Sequence, residues 1–582
     1  MRKPITFLAV LATSFLFDAC TPDLPEPTRA SPAAQARKGD KAMTQEEIDY
    51  HIEYTVASQK GKTSEFDWAN EYPNQFSRRN PCRGCQDETL DMDRLIWSTT
   101  QHTDPVLTVG YTIPGYDFKD LTKINLKDKA WQDIRQKLLD VVFNSEKEYN
   151  KELTRPEDLV VYPEEGLPNF ELTITQLATL HKLRATGFIR YIIPTEYQHK
   201  GAVLPKGNPS KNGRSASSGF GCGDHEQSLP YLTPGTDYTF LAPQNSKISW
   251  NLLVHQMPSA WARGATGQGQ YIGYIDTGVS DQQGRLNWNF WQGASGSRML
   301  ERTWTLPNKR GQAPETHHDP CGHGTCSAGI GVAPHMGVSS VGVAYQASLV
   351  SVRASADVVF TSARECRGAA NAFTRLANHP NVRVISMSMG TVVNLPYTVN
   401  GLGTPFTFAY AHIGDAVRLA HQRGKLIFCA AGTLGAGGLP MTIFPANMDG
   451  VVQAVTGIRA QVRNNGLLVN NVSNYSLNFL TNCHECFYSP SVDFAVVMQK
   501  DNIGTAERVL TLPRRNFIEP VTFGGSSAAT ATMSAMATAV WSRFPNEDAA
   551  QILDRLRRAA THPDNRHPSF GWGLVNMDLA TR

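Results

Sequence analysis

The chain has 582 residues, too many for one ordinary domain and enough for two to four with a large apolar core. Its 55 Lys and Arg against 52 Asp and Glu leave a formal net charge of only +3. That balance gives no electrostatic footprint for nucleic acid or for an anionic surface, and neither is expected as a partner.

Met1 to Cys20 opens with Arg2 and Lys3, runs apolar from Ile5 to Phe17 and ends at Ala19-Cys20. The run is too short to cross a bilayer and has the layout of a secretory signal. The cysteine predicts a bacterial lipoprotein whose mature chain begins at a lipidated Cys20. Phe17 and Asp18 fit the usual small or aliphatic residues before such a cysteine poorly, and the alternative is plain secretion with Cys20 removed. The expected location is the bacterial cell envelope or the medium, with a membrane involved only through the N-terminal lipid. Residues 21–104 begin with a tether rich in Pro, Ala and charge up to about Gly39. From 40 to 104 the chain is polar and aromatic without a sustained period, and no function is assigned to it.

Residues 105–197 read as a small α+β unit. Val106 to Thr112 is a strand, and Asp128 to Phe143 is an amphipathic helix with Trp131, Ile134, Leu138 and Val141 at helical spacing. Asn169 to Thr173 is a second strand. Thr175 can cap a helix carrying Leu177, Leu180 and Leu183, which Gly187 closes before the strand Ile189 to Pro194. Residues 198–246, rich in Gly, Ser, Lys and Pro, read as a linker, the kind of segment where proteolytic nicking concentrates.

Residues 247–582 alternate strand and helix, which specifies a doubly wound, mostly parallel α/β sheet. Tyr271 to Ile275 is a strand ending at Asp276, where functional groups gather in such sheets. His323 lies in Gly322-His323-Gly324-Thr325, at the start of a helix of small residues. Leu349 to Arg353, Val382 to Ser386 and Lys425 to Ala430 are further strands, with helices at Ser362 to Asn378 and His412 to Arg423. Ser527 follows a glycine pair in Gly525-Ser526-Ser527-Ala528-Ala529 and opens a run of small residues that reads as a packed helix. A hydroxyl needs a base to take its proton and an acid to orient that base before it can attack a carbonyl. Singly, each of these stretches is weak; in the order Asp, His, Ser they supply all three groups.

From Trp250 to the C-terminus the chain resembles the subtilase family of serine endopeptidases. The resemblance implies that Ser527 is the nucleophile, His323 the general base and Asp276 the group that orients it. It also implies that Ser388, Met389 and Gly390, with Ala430, Ala431 and Gly432, line the site for the substrate residue before the cleaved bond. Residues 105–197 are similar to the family's propeptide, which chaperones the enzyme and plugs its cleft until a maturation cut, here expected within 198–246. Polypeptide substrates and the chain's own propeptide are therefore the expected partners. No organic cofactor is implied; calcium is common in the family, yet no acidic loop here supports assigning ligands.

Two departures stand out. The family's usual asparagine after Ala-Ala-Gly, whose amide donates to the oxyanion, is Thr433 here. Losing that donor costs a related enzyme about 10²–10³ in turnover. The threonine hydroxyl also donates from a shorter arm, and with the Ser527 backbone N–H it is expected to leave a slower enzyme. Ala531 stands where the family usually has proline, while Phe444-Pro445-Ala446 and Phe570 to Asn576 match the usual pattern. Rival readings are a noncatalytic peptide-binding envelope protein and a protease limited to its own processing.

Apart from Cys20, the cysteines are Cys82, Cys85, Cys222, Cys321, Cys326, Cys366, Cys429, Cys483 and Cys486. Cys429 lies in a strand read as buried and is expected to be a free thiol, which leaves eight for pairing in an oxidising compartment. The pairs 82–85 and 483–486 have zinc-like spacing but fall in different proposed domains. His317 and His318 pair with no further ligand at a recognisable spacing and are read as loop residues.

Overall fold

The computed structural model describes residues 41–59, 65–72, 90–201, 208–209, 215–216, 221–222, 232–309, 311–337, 339–391, 393–394, 406–434, 438–459, 483–500, 508–516 and 519–582. The signal and Cys20 lie outside them, as do Cys82 and Cys85.

Among the described residues, seven parallel strands form the central sheet. In spatial order they are Leu300–Trp304, Ser348–Arg353, Tyr271–Asp276, Val382–Met387, Leu426–Ala430, Gln453–Arg459 and Phe494–Gln499. The chain starts at Tyr271–Asp276, builds toward one edge and then crosses to build the other, so the order reverses beside Asp276. Such a reversal opens a crevice outside the carboxyl ends of the strands.

Both faces of the sheet are covered, which is why its strands are nearly continuous apolar runs. Successive side chains point to opposite faces. Ile275, Val352, Ile385, Met387, Ile427 and Cys429 enter one core with the helices Ala363–Asn378 and Ala411–Gln422. Ile272, Tyr274, Leu349, Val384 and Phe428 enter the other with His323–Val332 and Gly525–Arg543. Small residues let these helices sit close: a Cβ on Gly331 would fall 2.0 Å from the Tyr274 hydroxyl oxygen.

The N-terminal unit is a four-stranded antiparallel sheet ordered Val160–Tyr162, Asn169–Thr173, Val106–Tyr111, Ile189–Ile193, with helices Lys129–Glu146 and Leu177–Ala185. Thr175 does not cap the second helix. Its hydroxyl donates to Glu146 at 2.5 Å, and Glu146 also accepts from Gln176 N and from Thr179, so a carboxylate from the neighbouring helix tends that end. This unit shares one apolar core with helices Ala363–Asn378 and Ala411–Gln422. Arg367 pairs with Glu171 and Arg190 with Asp415 across the contact.

The described residues between 41 and 104 are more ordered than their sequence suggests. Helices Gln45–Ser58 and Met92–Thr99 join the same core, and Glu65–Asp67 pairs in parallel with Phe406–Ala409. Among the described residues no helix is long and apolar enough to cross a membrane.

Candidate active site

Asp276 is the last residue of its strand, and its Oδ1 accepts from Thr277 N at 2.8 Å. The same oxygen lies 2.7 Å from His323 Nδ1, with both side chains 2% exposed. Oδ2 is buried without a hydrogen-bond partner among the described residues.

His323 is the first residue of its helix, after Gly322 at φ 94°, a conformation that favours glycine. Asp319, fully buried, fastens this start. Its Oδ1 accepts from Thr277 Oγ1, Cys321 N and Gly322 N, and its Oδ2 from Thr325 N and Oγ1. Burial alone pulls the His323 pKa down. The charge and hydrogen bond of Asp276, with Asp319 and Asp357 behind it, outweigh that and hold it above 6.5. A site of this kind favours the imidazolium that appears when the ring accepts a proton.

Ser527 sits in the first turn of helix Gly525–Arg543, entered through Gly525 at φ 71°. Ser527 is partly exposed, whereas Ser526 is buried. Ser527 Oγ donates to Ser388 O at 3.4 Å, and Ser388 Oγ donates back to Ser527 O at 3.0 Å. The His323 ring meets Phe523, four residues before Ser527, edge-on at 4.9 Å between centroids. The acid and the imidazole are thus in direct contact, and the serine hydroxyl points to the Ser388 carbonyl.

A cleft beside Ser527 is walled by Ser388, Met389 and Gly390 on one side and by Ala430, Gly432 and Thr433 on the other. Ala431 stands apart from these six. It is fully buried, donating to Val455 O and accepting from Ile443 N. The Thr433 hydroxyl is turned onto Ser526: it accepts from Ser526 N at 3.0 Å and lies 2.8 Å from Ser526 Oγ, which accepts from Gly432 N at 3.1 Å. Either hydroxyl can donate to the other; when Ser526 is the donor, the proton of the part-exposed Thr433 hydroxyl is left for the cleft.

His317 and His318 both face Asp281, at 2.8 and 3.3 Å. Among the described residues no group of three or more His, Cys, Asp and Glu is placed to hold a metal. Cys222 is bonded to Cys321, two residues before His323, and Cys483 to Cys486. Cys429 is free and buried as expected. Cys326 and Cys366 depart from the expected pairing, because both lie on packed helix faces with their thiols sealed in the cores.

Sequence reading passed over Asp319 and Ser526. Asp319 carried a signal, an aspartate just ahead of a small-residue helix. Ser526 carried none, since its partner Thr433 is 93 positions away.

The chain matches the subtilase family over residues 267–573. M-protease of Shouchella clausii (strain KSM-K16) is 25% identical over 357 residues, 61% of this chain and 75% of that protein. Subtilisin Savinase of Lederbergia lenta is 25% identical over 335 residues, 58% of this chain and 99% of that protein. Among solved structures, MycP1 from Mycobacterium smegmatis aligns with 61% of this chain and 89% of its own, at 19% identity and a TM-score of 0.39. The family match spans more than half of the 582 residues and takes in Asp276, His323, Thr433 and Ser527, and the chain belongs to the subtilase family of serine endopeptidases.

Proposed function

We propose that Ser527, His323 and Asp276 form the catalytic triad of an exported endopeptidase. Ser527 Oγ attacks the peptide carbonyl while His323 Nε2 takes its proton; Asp276 holds the ring through Nδ1 and stabilises the imidazolium. The carbonyl oxygen, now anionic, accepts hydrogen bonds from the Ser527 backbone N–H and from the Thr433 hydroxyl when Ser526 donates to it. Collapse breaks the C–N bond, His323 returns the proton to the leaving amine, and water then hydrolyses the acyl-serine by the same route. The observation that carries this reading is the buried 2.7 Å contact of His323 Nδ1 with Asp276 beside the serine helix.

Residues 105–197 act as the propeptide, a role supported by the core they share with helices Ala363–Asn378 and Ala411–Gln422. The maturation cut falls within 198–246. Export, and a lipid at Cys20, rest on the sequence of residues 1–20 alone.

A fluorophosphonate probe tests the assignment. Stoichiometric labelling of the parent but not of Ser527→Ala, together with digestion of casein, is the expected result. The turning of Thr433 onto Ser526 favours a second reading, a weakened protease that binds peptides. Absence of labelling after removal of residues 21–245 would establish that reading, and labelling with self-cleavage but intact casein would mark a protease confined to its own processing.

A further inference from the structure

The two walls of the cleft each carry a glycine, and glycines are where such a pocket admits a substrate side chain. In this chain both glycines are already covered. A Cβ on Gly390 would fall 2.5 Å from Ile443 Cδ1, and a Cβ on Gly432 would fall 2.3 Å from the Phe487 ring. Ile443 and Phe487 are 9% and 1% exposed and pack with Leu434 and Met441 in a small apolar cluster separate from the two main cores.

That cluster is fixed from beneath by the segment 483–488. Phe487 N donates to Gly432 O at 3.0 Å, and Leu434 N donates to Glu485 O at 2.9 Å. Thr433 bridges to Cys486, and Gly438 N donates to His484 O at 2.8 Å. The Cys483–Cys486 bond closes the turn at the foot of this segment, where Cys483 N donates to Gly457 O at 3.0 Å. The backbone of Phe487 therefore cannot move away from Gly432 without breaking pairing on both sides, and the ring is packed in place by Ile443, Leu434 and Met441. Among the described residues, none that lines the cleft carries an ionisable side chain.

Resting on the protease reading above, we infer that Ile443 and Phe487 set the enzyme's specificity, restricting the residue before the cleaved bond to short, uncharged, apolar side chains, with the Cys483–Cys486 bond as the brace that keeps Phe487 in place. An aromatic side chain would have to displace Ile443 or Phe487. A charged one would be buried without a partner, which costs far more than an apolar contact returns.

The test uses the full chain as its host processes it, with each preparation's reactive serine titrated by a fluorophosphonate so that rates refer to labelled Ser527. Peptide p-nitroanilides of the form succinyl-Ala-Ala-Pro-X, with X as Ala, Val, Leu, Phe, Lys or Glu, report kcat/KM. Ala, Val or Leu is expected to exceed Phe by about tenfold or more, the scale on which apolar pockets discriminate by size. Lys and Glu are expected to be lower on the order of 100-fold or more. Ile443→Ala and Phe487→Ala should each raise the Phe-to-Ala ratio about tenfold, and the milder Phe487→Leu should raise it less. The double variant Cys483→Ser/Cys486→Ser should move the same ratio in the same direction, chiefly through KM. A parent that prefers Phe, Lys or Glu overturns the inference, as does an unchanged ratio in Ile443→Ala and the Phe487 variants with labelling intact. Absence of labelling in the parent instead defeats the protease reading on which the inference stands.

Discussion

Glu171→Ala, made in a Ser527→Ala background so that no self-cleavage intervenes, tests whether the N-terminal unit is locked to the catalytic domain through charge. Arg367 reaches up from helix Ala363–Asn378 with Nε 2.7 Å from Glu171 Oε2 and Nη2 2.9 Å from Oε1, a two-pronged pair whose side chains are 2% and 0% exposed. Thr108 donates to the same carboxylate at 3.1 Å, and Arg367 Nη2 also donates to Asn169 O at 3.2 Å. Removing the carboxylate leaves a guanidinium buried against the sheet with one backbone carbonyl for company. Breaking a buried pair from one side costs about 3–5 kcal/mol. Replacing both partners, Glu171→Leu with Arg367→Met, should recover most of that, because neither charge is then buried alone. Urea unfolding of the full chain, with hydrogen exchange of strand Asn169–Thr173 as a local readout, measures both. A single variant within about 0.5 kcal/mol of its parent, the range of surface changes, would refute the argument.

Three further outcomes are expected. His323 must be neutral to accept the Ser527 proton and its pKa is held above 6.5, so kcat/KM should fall as pH drops through a midpoint above that value; Asp276→Asn should lower the midpoint, and a parent midpoint well below 6.5 would contradict the assignment. Burial lifts Glu196 to about 7, against the Ala363 N–H that it accepts and with help from Asp104, Glu365 and Glu171. Its folded value exceeds its unfolded 4.5, so its contribution is complete below pH 4.5 and lost as pH rises through about 7. The N-terminal unit should therefore detach more readily at pH 8 than at pH 5, and Glu196→Gln should flatten that dependence in denaturation midpoints. Thr433→Val strips Ser526 N of its acceptor, and a loss of about 1–3 kcal/mol in unfolding free energy with slower turnover per labelled serine is expected; unchanged turnover would remove the Thr433–Ser526 pair from the mechanism.

The parallel sheet was legible because strands buried on both faces are written as apolar runs, and Ile385, Met387, Ile427 and Cys429 can be picked out before their partners are known. The pairing of Asp276 with His323 rests on the resemblance to the subtilase pattern and not on either stretch alone; the two side chains lie 2.7 Å apart. Helix Gln45–Ser58 was overlooked although Thr44 and Glu47 form a capping box and Ile48, Ile52 and Val56 fall at four-residue intervals. Its polar and aromatic flanks hid a short apolar stripe. Other features had no local signature at all. Glu171 and Arg367 are 196 positions apart, and the direction of the Thr433 hydroxyl depends on where a distant helix begins. Cys326 and Cys366 look like any other cysteine of an exported chain until the cores close around them.

The Cys222–Cys321 bond stitches the stretch ahead of the protease domain to the loop just before His323, spanning 99 positions. A chain nicked between 223 and 231 would still migrate as a single band in a denaturing gel and fall into two only when a thiol is added. A chain nicked before Cys222 would part at once. An unreduced gel by itself would thus mistake a finished enzyme for an unopened precursor.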